Sequence, residues 1–264
     1  PETYPRFQEE LEEFKNLLIE LVYLNEPKTF YKFGDGDYYF LRKEPVGSAT
    51  PGRRALSKGY DQINHEAFVN GAQLCDYYTC EIYPTNRGRF AQVIDRKVDY
   101  PAEFGYGLVT NKWLLETFSG RIGLIGADQK MNIIQNLMEA PQYQDYLGLE
   151  KFEDYISLPQ KFACDDIDAT EQMVAEQLKN STSKIFLMGM GHVKSGLIHR
   201  LKKHANAVFL DVGASIDALA GIIDVNRPFA GDWTNYQIDE PHLYEGVDFL
   251  AYEGQGKHIT LARE

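Results

Sequence analysis

Gly34-Asp35-Gly36-Asp37 sets two carboxylates one residue apart, directly after the β-prone run Thr29-Phe30-Tyr31-Lys32-Phe33. Two such side chains can converge on one hard divalent cation, Mg2+ or Mn2+, and the glycines beside them let backbone and ligand approach closely. The same four residues also read as a solvated Asp-Gly turn. A second set, Gly189-Met190-Gly191-His192 with Lys194 and Gly196, follows an apolar run. A glycine-rich strand-to-helix turn offers backbone N–H groups to phosphate. His192 and Lys194 stand on that turn, where they touch a phosphate or serve only as a helix-end histidine and a surface lysine. The spacing is not G-x-G-x-x-G, because Gly196 comes too late, yet Asp211 stands where a dinucleotide fold places its ribose-binding acid, about 20 residues on.

A third stretch is Asp211-Val212-Gly213-Ala214-Ser215-Ile216-Asp217. One acid closes a strand and another opens the next helix, at the carboxyl end of the sheet where α/β proteins bind ligands. Asp217 also fits a plain helix N-terminus. Two basic pairs, Arg53/Arg54 and Arg87/Arg89, lie in stretches rich in Pro and Gly and read as loops. They suit a diphosphate or an anionic acceptor, or simply face solvent. The chain has no G-x-S-x-G elbow, no P-loop, no H-E-x-x-H and no kinase signature set, so the chemistries that rest on those motifs find no support.

The elements that must position these residues are legible from periodicity. Phe7, Leu11, Phe14, Leu18, Leu21 and Val22 recur at helical spacing with glutamates between them, and Pro27 follows the helix end. Residues 61–75 and 112–118 carry helical patterns, and Tyr77–Tyr83 is β-prone. Arg121–Gly126 reads as a buried strand, followed by a helix from Asp128 to Met138, a strand at Tyr155–Leu158 and a helix over Asp168–Leu178. Lys184–Met188, Val193–His204 and Ala207–Val212 then form a β-α-β unit, the building block of parallel sheets. The expected fold is α/β, a mainly parallel sheet flanked by helices. One domain is expected over residues 1–264, with an N-terminal helix in 1–27 and a loop-rich extension over 226–264 packed on it. Trp233, Tyr236 and Tyr244 in that extension are candidates for an acceptor platform.

Composition narrows the function. With 27 basic and 39 acidic side chains the net charge is −12. Nucleic acid and anionic membranes select Lys- and Arg-rich surfaces, so neither is expected as the main partner. A small anionic ligand in a local pocket is compatible with that charge. The 17 tyrosines suit clefts for sugars and nucleobases as well as an ordinary core. Three cysteines with no C-x-x-C pair read as free thiols in a reducing, cytoplasmic setting. No run approaches the ~20 apolar residues of a transmembrane helix.

In this order the pieces resemble the GT-D type of glycosyltransferase, small bacterial nucleotide-sugar enzymes first catalogued as a domain of unknown function. The family's Arg-Phe-Gly-Asp-Gly-Glu is similar to Lys32-Phe33-Gly34-Asp35-Gly36-Asp37, with Asp in place of Glu and Lys in place of Arg. Its Pro-x-x-Asn-Ala-Phe-like stretch resembles Pro159-Gln160-Lys161-Phe162-Ala163. Its Gly-Pro-Thr-Ala-Lys turn loosely resembles Gly189–Lys194, and its Asp-Ile-Gly-x-x-Asp resembles Asp211–Asp217. The resemblance spans roughly residues 28–222. It implies a single Rossmann-like domain, a nucleotide-sugar donor (UDP-sugar first) and a glycan or glycoconjugate acceptor.

The resemblance also implies Mn2+ or Mg2+ on Asp35 and Asp37. The donor is then expected against Lys32, Gly34, Gly189, Gly191, His192 and Lys194. For an inverting reaction Asp217 is the first candidate base, with Asp211 behind it. Two other readings stay open: a Rossmann enzyme using S-adenosylmethionine or NAD around Gly189, and a non-catalytic carbohydrate-binding domain. A homo-oligomer is compatible with all three.

Overall fold

Alternation along the strands divides the core in two. In β1 (Thr29–Phe33) Tyr31 and Phe33 face one side of the sheet, while Phe30 and Lys32 face the other. The computed structural model describes residues 4–43, 63–159, 162–222, 236–245 and 257–261. Arg53/Arg54, Trp233 and most of the extension lie outside the described residues.

The remaining strands of the main sheet are β2 (Tyr77–Cys80), β3 (Tyr100–Pro101), β4 (Ile122–Ala127), β5 (Asp154–Leu158), β6 (Ile185–Gly189) and β7 (Val208–Asp211). They form one seven-stranded sheet in the order β3-β2-β1-β7-β6-β4-β5, with every pairing parallel. A parallel sheet is covered on both faces, so its central strands are nearly continuous apolar runs. Ile-Phe-Leu-Met in β6 and Val-Phe-Leu in β7 are buried throughout.

Helices cover each face. On the Phe30 side pack α1 (Phe7–Tyr23), α5 (Ala102–Thr110), α6 (Trp113–Thr117), α7 (Asp128–Leu137), α8 (Pro141–Leu147) and α11 (Ser215–Leu219). On the Tyr31 side pack α2 (Asp35–Leu41), α3 (His65–Ala72), α4 (Pro84–Val93), α9 (Ile167–Leu178) and α10 (Lys194–Leu201). Local signals explain several ends. Asp166 caps α9 by accepting from Ala169 N at 2.9 Å, and Asn64 caps α3 through Ala67 N. Pro84 opens α4, where its fixed φ and missing N–H suit the first turn.

Two sequence expectations change here. Pro84–Arg89 is not a loop but the first turns of α4: Pro84 sits at the helix start, where it is tolerated, and the interior Gly88 costs only about 1 kcal/mol. The described part of the extension adds a small parallel pair, β8 (Tyr236–Ile238) with β9 (Lys257–Ile259). Tyr236 packs on Tyr143 and Tyr146, and Tyr244 is buried with its hydroxyl accepting from Ile238 N at 3.0 Å. These rings are spent on packing and offer no open acceptor platform.

The chain leaves β1 toward β2, but leaves β7 toward α11 on the other half of the sheet. Connections that diverge between neighbouring strands open a crevice at their carboxyl ends. Phe33-Gly34, Gly189-Met190 and Asp211-Val212 all end at that edge.

Candidate functional site

The crevice is built from three strand ends. β1 delivers Lys32 and, through the first turn of α2, Asp37; β6 delivers His192 and Lys194; β7 delivers Asp211. Gly34 is extended at φ −126° and Asp35 opens α2, so the acid pair belongs to a helix start rather than a free turn. The 3-10 turn Gly191–Val193 leads from β6 into α10. Gly213 sits at φ +52°, a left-handed conformation that glycine adopts without strain. Its carbonyl lies so close to Gly189 that a Cβ there would stand 2.8 Å from it. Those two glycines let the ends of β6 and β7 close on one another.

A buried lysine ties the three strands together. Lys194 Nζ lies 3.0 Å from Asp37 Oδ2 and 3.0 Å from Asp211 Oδ2, donates to the Lys32 carbonyl, and sits 4.8 Å over the Tyr31 ring. Asp37 Oδ2 also accepts from Gly34 N at 2.8 Å. Asp211 Oδ2 accepts from Lys32 N at 3.2 Å, and its Oδ1 accepts from Gly213 N at 3.0 Å. All three side chains are buried. Burial opposes charge on Lys194, but Asp211 and Asp37 outweigh it and raise its pKa. Burial pushes the Asp37 carboxyl up, while Lys194 and then the imidazole of His192 pull harder the other way. The net is a carboxyl held well below its ordinary range.

Two groups at the rim are left less committed. The Lys32 ammonium has no hydrogen bond and no carboxylate partner among the described residues. It rests 5.0 Å over the Tyr106 ring and stands 3.3 Å from where a Cβ on Gly34 would be. The His192 ring stacks on Phe40 with centroids 4.8 Å apart and planes 9° apart. Its buried Nδ1 faces Asp37 Oδ1 at 3.6 Å, beyond hydrogen-bond length, and has no hydrogen-bond partner among the described residues.

The structure thus brings together Lys32, Gly34, Asp37, Gly189, Gly191, His192, Lys194 and Asp211. It separates two others. Asp35 is exposed, and its Oδ1 accepts from Gly36 N at 2.8 Å. Asp217 is half-buried on α11 and pairs with Lys130 of α7, on the β4 side of the crevice. Pro159 ends the edge strand β5, away from β1 and β7. Of the second basic pair, Arg87 donates to the Glu81 carbonyl at 3.1 Å and Arg89 to the Tyr39 hydroxyl at 3.0 Å.

The residues expected to hold a divalent cation do not fit one. Asp35 faces solvent while Asp37 is buried, so the two carboxylates do not converge. Asp37 is already engaged by an ammonium 3.0 Å away, which would repel a cation at the same oxygen. Among the described residues no three His, Cys, Asp or Glu side chains group as metal ligands would.

Three participants escape sequence reasoning: Tyr31 and Tyr106, which lie under the two ammonium groups, and Phe40, which holds the His192 ring. Only the two-residue alternation in β1 hinted at the first. The three cysteines are buried free thiols, and no described helix is long and apolar enough to cross a membrane.

No protein-family model matches the chain, and no curated protein matches it. Two solved structures are similar. One is described as a new glycosyltransferase (DUF1792) from Streptococcus sanguinis, 12% identical, with 94% of this chain and 97% of that chain covered at a TM-score of 0.49. The other is a selenomethionine-substituted structure of domain of unknown function 1792, also 12% identical, with 96% and 93% covered at a TM-score of 0.49. With likeness at that level, the α/β assignment stands on the strand order and the parallel register themselves.

Proposed function

We propose that this chain is a glycosyltransferase that moves a sugar from a nucleoside diphosphate donor, a UDP-sugar first, to a glycan or glycoconjugate hydroxyl. One observation carries the reading. Three of the four sequence stretches on which the resemblance rests, around residues 32–37, 189–194 and 211, meet in a single crevice at a topological switch point, and the fourth, at Pro159, lies at the edge strand.

The chemistry asked of the site is modest. A departing nucleoside diphosphate needs positive charge at its phosphates, and Lys32 stands at the rim without a carboxylate partner. An inverting transfer also needs a base for the acceptor hydroxyl. Asp211 is unsuited to that role, since both oxygens are buried and bonded. Asp217 keeps a partly exposed carboxylate on the β4 side, with Lys130 as a partner it must give up. The reading therefore retains Asp217 alone as the base.

The dinucleotide alternative loses its main feature in this geometry. It needs an acid at 211 free to meet ribose hydroxyls, and that carboxylate is held by Lys194, Lys32 N and Gly213 N. Thermal unfolding in the presence of UDP, GDP, UDP-sugars, S-adenosylmethionine and NAD distinguishes the cases, because a ligand bound only to the native state raises the midpoint by mass action. The reading predicts a shift with uridine diphosphate compounds. A shift confined to S-adenosylmethionine or NAD would replace it, and no shift with any compound would favour the carbohydrate-binding alternative.

A further inference from the structure

The position between Asp37 and Asp211 is filled by the Lys194 ammonium. Its contacts to both carboxylates, to the Lys32 carbonyl and to the Tyr31 face leave it buried and fully committed. A second ammonium, Lys32, approaches the same strand ends from the opposite face of the sheet. Its aliphatic stem lies against Gly213, where a Cβ would stand 3.4 Å from Cδ and 3.5 Å from Nζ, and its Nζ is also close to Gly34. Asp37 and Asp211 already have Lys194 as counter-ion, so Lys32 has no carboxylate to neutralise. Lysine acts on phosphate as a compact point charge.

We propose that this site binds the donor diphosphate without a divalent cation: Lys194 holds the place of the metal between Asp37 and Asp211, and the Lys32 ammonium meets the phosphate oxygens directly. The proposal rests on the donor reading above. It assigns the two lysines different tasks. Lys194 is a positioning residue that fixes Asp37, Asp211 and the end of β1. Lys32 is the group that touches ligand.

Calorimetric titration of UDP and of inorganic pyrophosphate, each with excess EDTA and with Mn2+, tests it on the full chain. The expected result is binding in EDTA within about threefold of that in Mn2+. Lys32→Met should weaken it at least tenfold and Lys32→Arg should largely restore it, with thermal midpoints unchanged. Electron paramagnetic resonance of Mn2+ mixed with the protein alone should show the ion free in solution. Binding that appears only with Mn2+, stoichiometric Mn2+ binding lost in Asp35→Asn, or undiminished binding in Lys32→Met would each overturn the proposal while leaving the donor reading intact. Failure of UDP and pyrophosphate to bind under both conditions would overturn the donor reading and this proposal with it.

Discussion

Helix α10 meets an aspartate near each of its ends, and the two encounters are built differently. Lys202, just past the last turn, reaches Asp76 at 2.8 and 2.9 Å. Asp76 also accepts from Thr29 N at 2.9 Å and Thr29 Oγ1 at 2.8 Å. One cation meets one anion there, the pair is partly exposed, and nothing is left over. Lys194, the first residue of the same helix, is buried between two carboxylates at the other end of β1. Beside it remain a lysine without a carboxylate partner and a histidine whose buried Nδ1 has no hydrogen bond, in both cases among the described residues. The same residue types make a closed clip at the amino ends of the strands and an incompletely satisfied group at the carboxyl ends. Surplus polar capacity in a crevice is what a ligand can use; a closed pair is not.

The contrast can be broken most forcefully at Lys194. Lys194→Met leaves two carboxylates buried without a counter-ion, and breaking a buried pair costs about 3–5 kcal/mol. Urea unfolding of that variant should show the loss, and a much smaller one would mean water already reaches the group. Asp217→Asn should lower turnover about 100-fold, the lower range for a missing general base, with stability changed by less than about 1 kcal/mol. Unchanged turnover would remove Asp217 from the mechanism. Lys202→Met should cost only about 1 kcal/mol, because its pair is one-third exposed and screened. A cost as large as that of Lys194→Met would erase the distinction between the two ends.

A smaller effect separates the ends by pH. His199 lies on α10 between the two lysines, and burial, then Arg200 and Lys203, lowers its pKa to about 4. The unfolded chain takes up that proton near the ordinary histidine value of about 6.5, while the folded chain does not until about 4. Stability should therefore fall as pH drops through that window. His199→Gln should flatten the dependence of the urea midpoint between pH 6.5 and 4.5. Asp37 acts only at lower pH. Its carboxyl is held down, so its contribution is intact above the unfolded value near 4 and is lost as pH falls further.

Much of the fold is written in periodicity. The alternation of apolar strands and amphipathic helices from residue 121 onward marks β4, α7, β6, α10 and β7 within one or two residues at most ends. Less visible were α4, α5 and α8. Their sequences mix Pro, Gly and polar residues, and packing against the sheet outweighs weak local propensity. The parts of the site were visible as types and order, but not their pairing. That Lys194 would turn inward to join Asp37 and Asp211 depends on β1 and β7 lying side by side, a contact between residues about 180 positions apart. Local pattern does not encode such a contact. Asp35 and Asp37, separated only by Gly36, end in different surroundings once Asp35 opens a helix: Asp35 is exposed and Asp37 is buried.

Release of nucleoside diphosphate from a panel of nucleotide sugars, measured side by side for the wild-type, Lys32→Met and Lys202→Met proteins, tests most directly whether function resides at the carboxyl ends of the strands. Turnover of at least one uridine diphosphate sugar is predicted, retained in Lys202→Met and reduced at least 100-fold in Lys32→Met. Equal turnover in all three proteins, or loss in Lys202→Met with Lys32→Met unaffected, would contradict the assignment of the site.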